Sequence, residues 1–475
     1  MGKTFSSYWI RSAFYSILQR FSLTIFGLIN FMLLVRTLTQ AEMGTWALFL
    51  TVISIFEATK SGLLKNAHIR FVSASSNKKE KTEIASASIL INAVVTLLFV
   101  LFLWFGSGWL GVKLHAGNNL AVMLKCFIPG LASMIYFSHL EAIQQSHLDF
   151  KGVFAGYLVR QLSFFMFIAL HSYLHLPFTL AYIAIYQSIS IAVGAITLYF
   201  FSRKYMYHRF DVTVIWIKKI IGYGSYIFGS NVMANVFSNL DQLMTASFIQ
   251  VSSVTYVAYY NTASRINGMV DIPSYAAADI LFPKSSKAAV EEGKQKVQYL
   301  YERMVGILLS FTTPAAVFII IFPKIIITLI AGAKYDAAAP ILQLYMITGL
   351  LRPMQNQAAN LLNSIGKPGL CFLINTIGLA INLVVNYICL VTFGFYGAAI
   401  GTLITCIIGS VIWYFIMRKQ IDLKVRNVIK YMWETYVIIY EYIVNFFKNK
   451  PSDDETPKVN FYEQRYENSP SDFNA

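Results

Sequence analysis

The chain has 475 residues, 56% of them hydrophobic and only 13% charged, with a formal net charge of +15. So apolar a composition excludes an average soluble domain. The basic excess does not mark a nucleic-acid binder, because the bases sit in short gaps between apolar runs without a basic helix or an aromatic–basic platform. The four cysteines (Cys126, Cys371, Cys389 and Cys406) lie inside apolar runs without metal-ligand spacing, so free buried thiols are expected, with no disulfide and no metal site.

A helix needs about 20 mostly apolar residues to cross roughly 30 Å of hydrocarbon. On that measure the sequence predicts an all-α integral membrane protein of about twelve spans. They lie near 12–35, 44–66, 84–105, 119–141, 153–173, 179–201, 221–249, 254–282, 300–322, 338–362, 369–392 and 395–417. The first is not read as a cleavable signal, since Arg11 and Arg20 interrupt it and no small-residue cleavage site follows. Bases fill every second gap: Lys65, Arg70 and Lys78 to Lys81; then Arg203 to Lys219; then Lys284 to Arg303; then Arg418 to Lys430. Basic loops stay in the cytoplasm, so both termini are expected inside and the chain multi-pass in the cell's inner (cytoplasmic) membrane.

The expected organisation is a six-helix bundle over 1–202, a cytoplasmic loop over 203–220 and a second six-helix bundle over 221–417. Residues 418–448 form a basic segment and an amphipathic helix, in which 431–447 lies in the membrane interface. A thirteenth span is the alternative for that helix. The acidic, Pro-containing tail 449–475 has no apolar period and is expected to be disordered. The bundles repeat each other: Glu42 to Ala47 opens the second span as Ser253 to Ala258 opens the eighth, and Asp149 to Gly152 matches Ile365 to Pro368. Such repeats place a transport site between the halves.

Arg36-Thr37-Leu38 followed by Glu42-Met43-Gly44-Thr45-Trp46-Ala47 resembles the polysaccharide-transporter family of the multidrug/oligosaccharidyl-lipid/polysaccharide exporter superfamily, which includes O-antigen and lipid-linked oligosaccharide flippases. Further similar stretches are Leu148 to Gly152, Asn239-Leu240-Asp241-Gln242 and Leu281 to Ser286. Gly332 to Tyr335 with Ala339 to Leu342, Asn363 to Pro368 and Gly394 to Ala399 complete the set, in order over residues 8–417. The resemblance implies two six-helix bundles in a V, like that of multidrug-and-toxin extrusion transporters, opening alternately to each side. It implies export of polyprenyl-diphosphate-linked oligosaccharide for surface polysaccharide such as lipopolysaccharide, with no enzymatic step. The aromatic, acidic extension after Lys430 departs from the pattern, and the resemblance offers it no role.

Ionisable groups at membrane depth usually face a cavity or a partner. Arg20 sits mid-span, and Arg265, about 18 Å into its helix, lies near the midplane. Arg352 is at similar depth, while Lys60, Lys65 and Arg160 lie nearer the inner mouth. A cavity lined by these cations suits a diphosphate, held by guanidinium pairing. The alternative is that they snorkel or bridge locally, as Glu57 and Lys60 are spaced to do. Asp241 and Asp271 are candidates for a coupling H+ or Na+, or for neutralising a neighbouring Arg. Asn231, Asn235 and Asn239 offer oxygens to a hard cation or bonds between helices, and His139 with Glu141 offers a proton relay or a capped helix end. Pro273, Pro314 and Pro353 supply bends, moving or static.

The expected partners are a lipid-linked oligosaccharide and membrane lipid, with a polysaccharide polymerase or glycosyltransferases alongside and no nucleic acid; no cofactor is expected beyond the coupling ion. Three rivals stand. An enzyme of glycan assembly would need a cytoplasmic catalytic domain or a large outer loop. A drug or organic-cation antiporter would need acids in its cavity. A cell-wall precursor lipid flippase would share the cationic cavity but usually carries additional spans.

Overall fold

Hydrocarbon offers the backbone no hydrogen-bond partner, so a chain this apolar must satisfy its peptide groups within helices. The computed structural model describes residues 2–448, apart from 76, 148, 175–178, 207–209 and 251, and all regular structure among them is helical. The side chain of Arg20 and the tail 449–475 lie outside the described residues.

The first half comprises α1 (Gly2–Thr37), α2 (Gln40–Lys60), α3 (Asn66–Ala74), α4 (Lys78–Lys113), α5 (Gly117–Cys126), α6 (Ile128–Ser146), α7 (Phe150–Tyr173) and α8 (Leu180–Ser202). A π-helical turn, Ser61–Lys65, joins α2 to α3, so the second expected span runs on to Ala74 in one piece. The start of α2 is a capping box. Thr39 Oγ1 accepts from the Glu42 amide, and Glu42 Oε2 accepts from the Thr39 amide at 2.9 Å. Helices α5 and α6 are bent by 44°, with Pro129 in the first turn of α6; the fourth expected span is therefore a broken one.

The second half comprises α9 (Val214–Phe248), α10 (Ser253–Val270), α11 (Ile272–Glu291), α12 (Lys294–Ile321), α13 (Pro323–Ala331), α14 (Ala339–Ser364), α15 (Pro368–Phe393) and α16 (Gly397–Ile421). The stretch expected as a single span over 254–282 breaks at Asp271, because Pro273 cannot continue the ladder of α10 and instead sits in the first turn of α11. Pro314 and Pro353 remain inside α12 and α14. The loop expected over 203–220 ends at Thr213. Trp216 and Ile220 at the start of α9 are buried with Leu64, Ala67, Val72 and Ile84 of the first half.

The last helix, α17 (Val425–Lys448), begins six residues before the expected 431 and packs along α12. Its anchor is Glu302, a buried carboxylate that accepts from the Lys424 amide at 2.8 Å and from Asn427 Nδ2 at 2.9 Å. Beside it, Gly306 lets Val428 and Tyr431 approach the α12 backbone.

By length and apolar content alone, six helical runs among the described residues can cross a membrane, or seven if the α5–α6 pair counts as one; one run, Gly369–Ile421, holds both α15 and α16. The long helices that fall short include α9, α10 and α14, which carry Asn235, Asn239, Asp241, Arg265 and Arg352 toward the interior. Large apolar side chains cover the outside. Phe102, Trp104, Phe105 and Trp109 of α4 and Tyr387, Ile388 and Val391 of α15 are all exposed, which only a lipid solvent tolerates on this scale.

Candidate transport site

A cavity of about 510 Å³ lies between the halves, bounded by α1 and α2 on one side and by α9, α10 and the start of α11 on the other. Its wall mixes apolar side chains with uncharged polar ones: Thr24, Thr51, Ser54, Asn235, Ser238, Asn239, Gln242, Asn261 and Ser264. Its charged lining residue is Arg265, exposed to the cavity and, among the described residues, without an ion-pair or hydrogen-bond partner. Asn235 and Asn239 bind across the halves, accepting from Ser54 at 3.1 Å and Thr51 at 3.3 Å. They bond helix to helix, and Asn231 does not line the cavity.

The halves meet above and below this cavity. On the face away from the basic loops, Arg36 Nη2 donates to the Leu329 carbonyl and Lys334 Nζ to the Leu38 carbonyl, each at 2.6 Å. Gln40 donates to the Lys334 carbonyl, and His115 Nδ1 lies 2.8 Å from the Ala246 carbonyl. Gly44 faces the Val254 carbonyl so closely that a Cβ there would lie 1.6 Å from the oxygen. On the basic face, a Cβ on Gly224 would lie 2.1 Å from the Leu63 carbonyl in the π-helical turn. Arg70 stacks there over Tyr223, its guanidinium 4.4 Å from the ring centre.

The remaining expected cations are elsewhere. Lys60, Lys65 and Arg160 line a second chamber of about 210 Å³ inside the first half, with Glu57, His68, His139, Glu141 and Tyr157. Glu57 does not pair with Lys60, as its spacing suggested; its Oε1 lies 3.6 Å from Nη2 of Arg160, reaching over from α7. Glu141 is no cap. It sits inside α6 and accepts from Lys65 Nζ at 2.8 Å and from the Tyr157 hydroxyl at 3.1 Å, while His139 faces His68, ring centres 5.5 Å apart. Arg352 pairs with Asp271, Nη1 to Oδ2 at 3.1 Å. The break before α11 turns Asp271 toward α14 and away from Arg265, so Arg352 is a compensated charge.

Asp241 lies on the other side of α9, buried where α9, α14, α15 and α16 meet. Its Oδ2 accepts from the Tyr345 hydroxyl at 2.6 Å; its Oδ1 accepts from Thr402 Oγ1 at 2.7 Å and from Asn386 Nδ2 at 2.8 Å. Asn382 Oδ1 is 3.4 Å from the same amide, and Asn386 Oδ1 is buried without a partner. One carboxylate among hydroxyl and amide oxygens fits a small hard cation or a proton. Tyr345, Asn382, Asn386 and Thr402 were not singled out in the sequence. Their signal was a pair of asparagines four apart inside a long apolar helix, α15.

A family model described as "Polysaccharide biosynthesis protein" matches residues 33–340, more than half of the chain. The chain belongs to that family. The match takes in both closures, Asp241 and the cavity wall apart from its α1 residues Leu23 to Phe31, and stops short of Arg352, Asn386 and Thr402. Among curated relatives, "Uncharacterized membrane protein MJ1068" of Methanocaldococcus jannaschii is 27% identical, over 57% of this chain and 54% of its own length. "Probable low-salt glycan biosynthesis flippase Agl15" of Haloferax volcanii is 22% identical, over 44% of this chain and 43% of its own. The chain thus spans about half the length of these two relatives. The solved structure "Lipid II flippase MurJ, inward closed conformation" superposes with a TM-score of 0.73 at 16% identity, covering 92% of this chain and 94% of that one; the likeness is one of fold.

Proposed function

We propose that this protein is a flippase that moves a polyprenyl-diphosphate-linked oligosaccharide from the inner to the outer leaflet of the cytoplasmic membrane. The observation that carries the reading is Arg265, an unpaired guanidinium facing a partly polar cavity between two halves that touch on both sides of it. Guanidinium is always charged, and a diphosphate gives it the bidentate partner that its fork geometry favours. An organic cation would be repelled there, which disfavours the antiporter. Family membership and a relative described as a glycan flippase support a glycan cargo.

In this reading twelve spans cross the bilayer, the basic loops and both ends are cytoplasmic, and no bond is made or broken. The head group enters from the basic side with its diphosphate on Arg265, together with Arg20 of α1, and the uncharged wall accepts sugar hydroxyls. The lipid tail stays in the bilayer. Asp241 binds the coupling ion, H+ or Na+, and its partners on α14, α15 and α16 couple occupancy to the packing of the second half; the same cluster also works as charge balance for α9. A polymerase or glycosyltransferases act on the same lipid before and after it.

The experiment is export of lipid-linked glycan in cells in which this protein is the sole carrier, with membrane levels matched. Arg265→Glu is expected to abolish export and Arg265→Lys to retain part of it. Full export by Arg265→Glu refutes the reading.

A further inference from the structure

The chamber inside the first half has a charge balance of its own. Two of its three cations are compensated: Lys65 by Glu141 at 2.8 Å, and Arg160 by Glu57 at 3.6 Å. Lys60 is not. Only 5% of it is exposed, and its ammonium has no hydrogen-bond partner; the Phe56 ring lies 5.3 Å away, and Glu57, already paired with Arg160, acts on it only through space. Two further groups in the same wall are also unmatched: both ring nitrogens of His68 and the hydroxyl of Ser88. A buried ammonium offers three donors and no acceptor, and leaving it unpaired is strongly unfavourable. Every carboxylate in the wall is already engaged, so what the chamber lacks is one negative charge that accepts hydrogen bonds.

We propose that this chamber is a second, separate anion site, centred on Lys60, that takes a single carboxylate-bearing solute the size of one sugar ring. One uncompensated cation matches a monoanion; a phosphate dianion would leave excess negative charge buried. The volume of about 210 Å³ holds roughly seven waters at the liquid density of about 30 Å³ each, enough for one ring and not for an oligosaccharide. Phe137 and Tyr157, packed edge to face at 5.0 Å, give the chamber an aromatic wall. Asn92 and Ser138 give it polar edges. The way in follows α2: Thr51 and Ser54 line the central cavity, and Glu57, Lys60 and Ser61, beginning one turn on, line the chamber. The carboxylate comes either from an acidic sugar of the cargo or from a free solute. The first source rests on the flippase reading; the site itself does not.

The test is thermal unfolding of the full chain in lipid nanodiscs, titrated with sodium glucuronate, uncharged glucose and sodium chloride in a buffer of large sulfonate anions. A saturable rise in Tm with glucuronate and none with glucose is expected. Lys60→Met should shift the half-saturating concentration at least tenfold, while Lys60→Arg and Arg265→Gln keep it within threefold. Ser88→Ala, which disturbs no charge pair, should weaken binding without changing the unliganded Tm. Lys60-dependent saturation by glucuronate alone assigns the site to acidic sugars; equal saturation by chloride means that the site reads charge without the ring, and overturns the proposal. Absence of saturable binding by both, or binding lost in Arg265→Gln and kept in Lys60→Met, overturns the proposal. Neither result touches the export test of Arg265.

Discussion

Gly44→Ala is expected to open the face away from the basic loops. The added Cβ would stand 1.6 Å from the Val254 carbonyl oxygen, whereas ordinary contact begins at 3.4 Å. Both sides of this contact are backbone, held by the α2 capping box and the start of α10, so no side chain can swing aside. The helices must part by about 2 Å or the closed state must absorb an overpacking strain of about 1–3 kcal/mol. A shift of that size changes the ratio of closed to open states by roughly 5- to 150-fold. Spin labels at Asn118 on the first half and Lys324 on the second, both exposed near this face, would report it by pulsed dipolar spectroscopy in a cysteine-free background. The distance distribution should gain a longer component in Gly44→Ala. The matched control is Gly224→Ala, whose Cβ would lie 2.1 Å from the Leu63 carbonyl on the opposite face, and which should leave that distribution short. Superimposable distributions for Gly44→Ala and the parent would refute the reasoning.

Three further outcomes are expected. Asp241→Asn keeps a side chain that Tyr345 and Thr402 can still bond, so the fold should persist within about 1 kcal/mol; export should fall at least tenfold and lose its dependence on the ion gradient. Glu302→Ala leaves the Lys424 amide and Asn427 without their acceptor, weakening the docking of α17 by about 1–3 kcal/mol. Faster tryptic cleavage at Arg426 and Lys430 would record it. Burial alone would raise the Asp149 carboxyl, but hydrogen bonds from Lys204 at 2.8 Å and Tyr205 at 3.1 Å hold it below its ordinary range. A depressed folded value means that this contribution is whole at neutral pH and is lost as pH falls through it. The difference in Tm between the protein and Asp149→Asn should therefore hold at pH 7 and vanish below the normal carboxylate range.

The helical architecture and the basic face were legible because both are local: apolar runs and loop charges can be read without knowing any neighbour. Pairings were not. Glu57 sits one turn from Lys60 in sequence, yet α7 delivers Arg160 to it from a hundred residues away. Asp271 lies near Arg265 along the chain, yet Pro273 breaks the helix there and hands the carboxylate to Arg352. The asparagines beside Asp241 share its helix but not its face: Asn235 and Asn239 point to α2, while Asp241 points to α14, α15 and α16. Periodicity along one helix shows which residues share a stripe, and only tertiary packing shows what that stripe meets. Arg265 stands out because no partner arrives, a fact of the same kind that sequence cannot hold.

Helix α2 and the π-helical turn that extends it touch both closures and both cavities in order. Gly44 meets the second half on one face, Thr51 and Ser54 line the central cavity, Glu57 and Lys60 line the inner chamber, and Leu63 meets the second half on the other face. The two glycine contacts lie nineteen residues apart, about 28 Å along a helix rising 1.5 Å per residue, close to the thickness of the hydrocarbon. Parting the halves by about 2 Å at one end of such a rod takes a tilt of only about 4°. A backbone contact without side-chain slack makes each end nearly all-or-none, so a small rigid motion suffices to break one closure while the other holds. The cavity wall rides on the same rod between them, and what binds there therefore feels which closure is made.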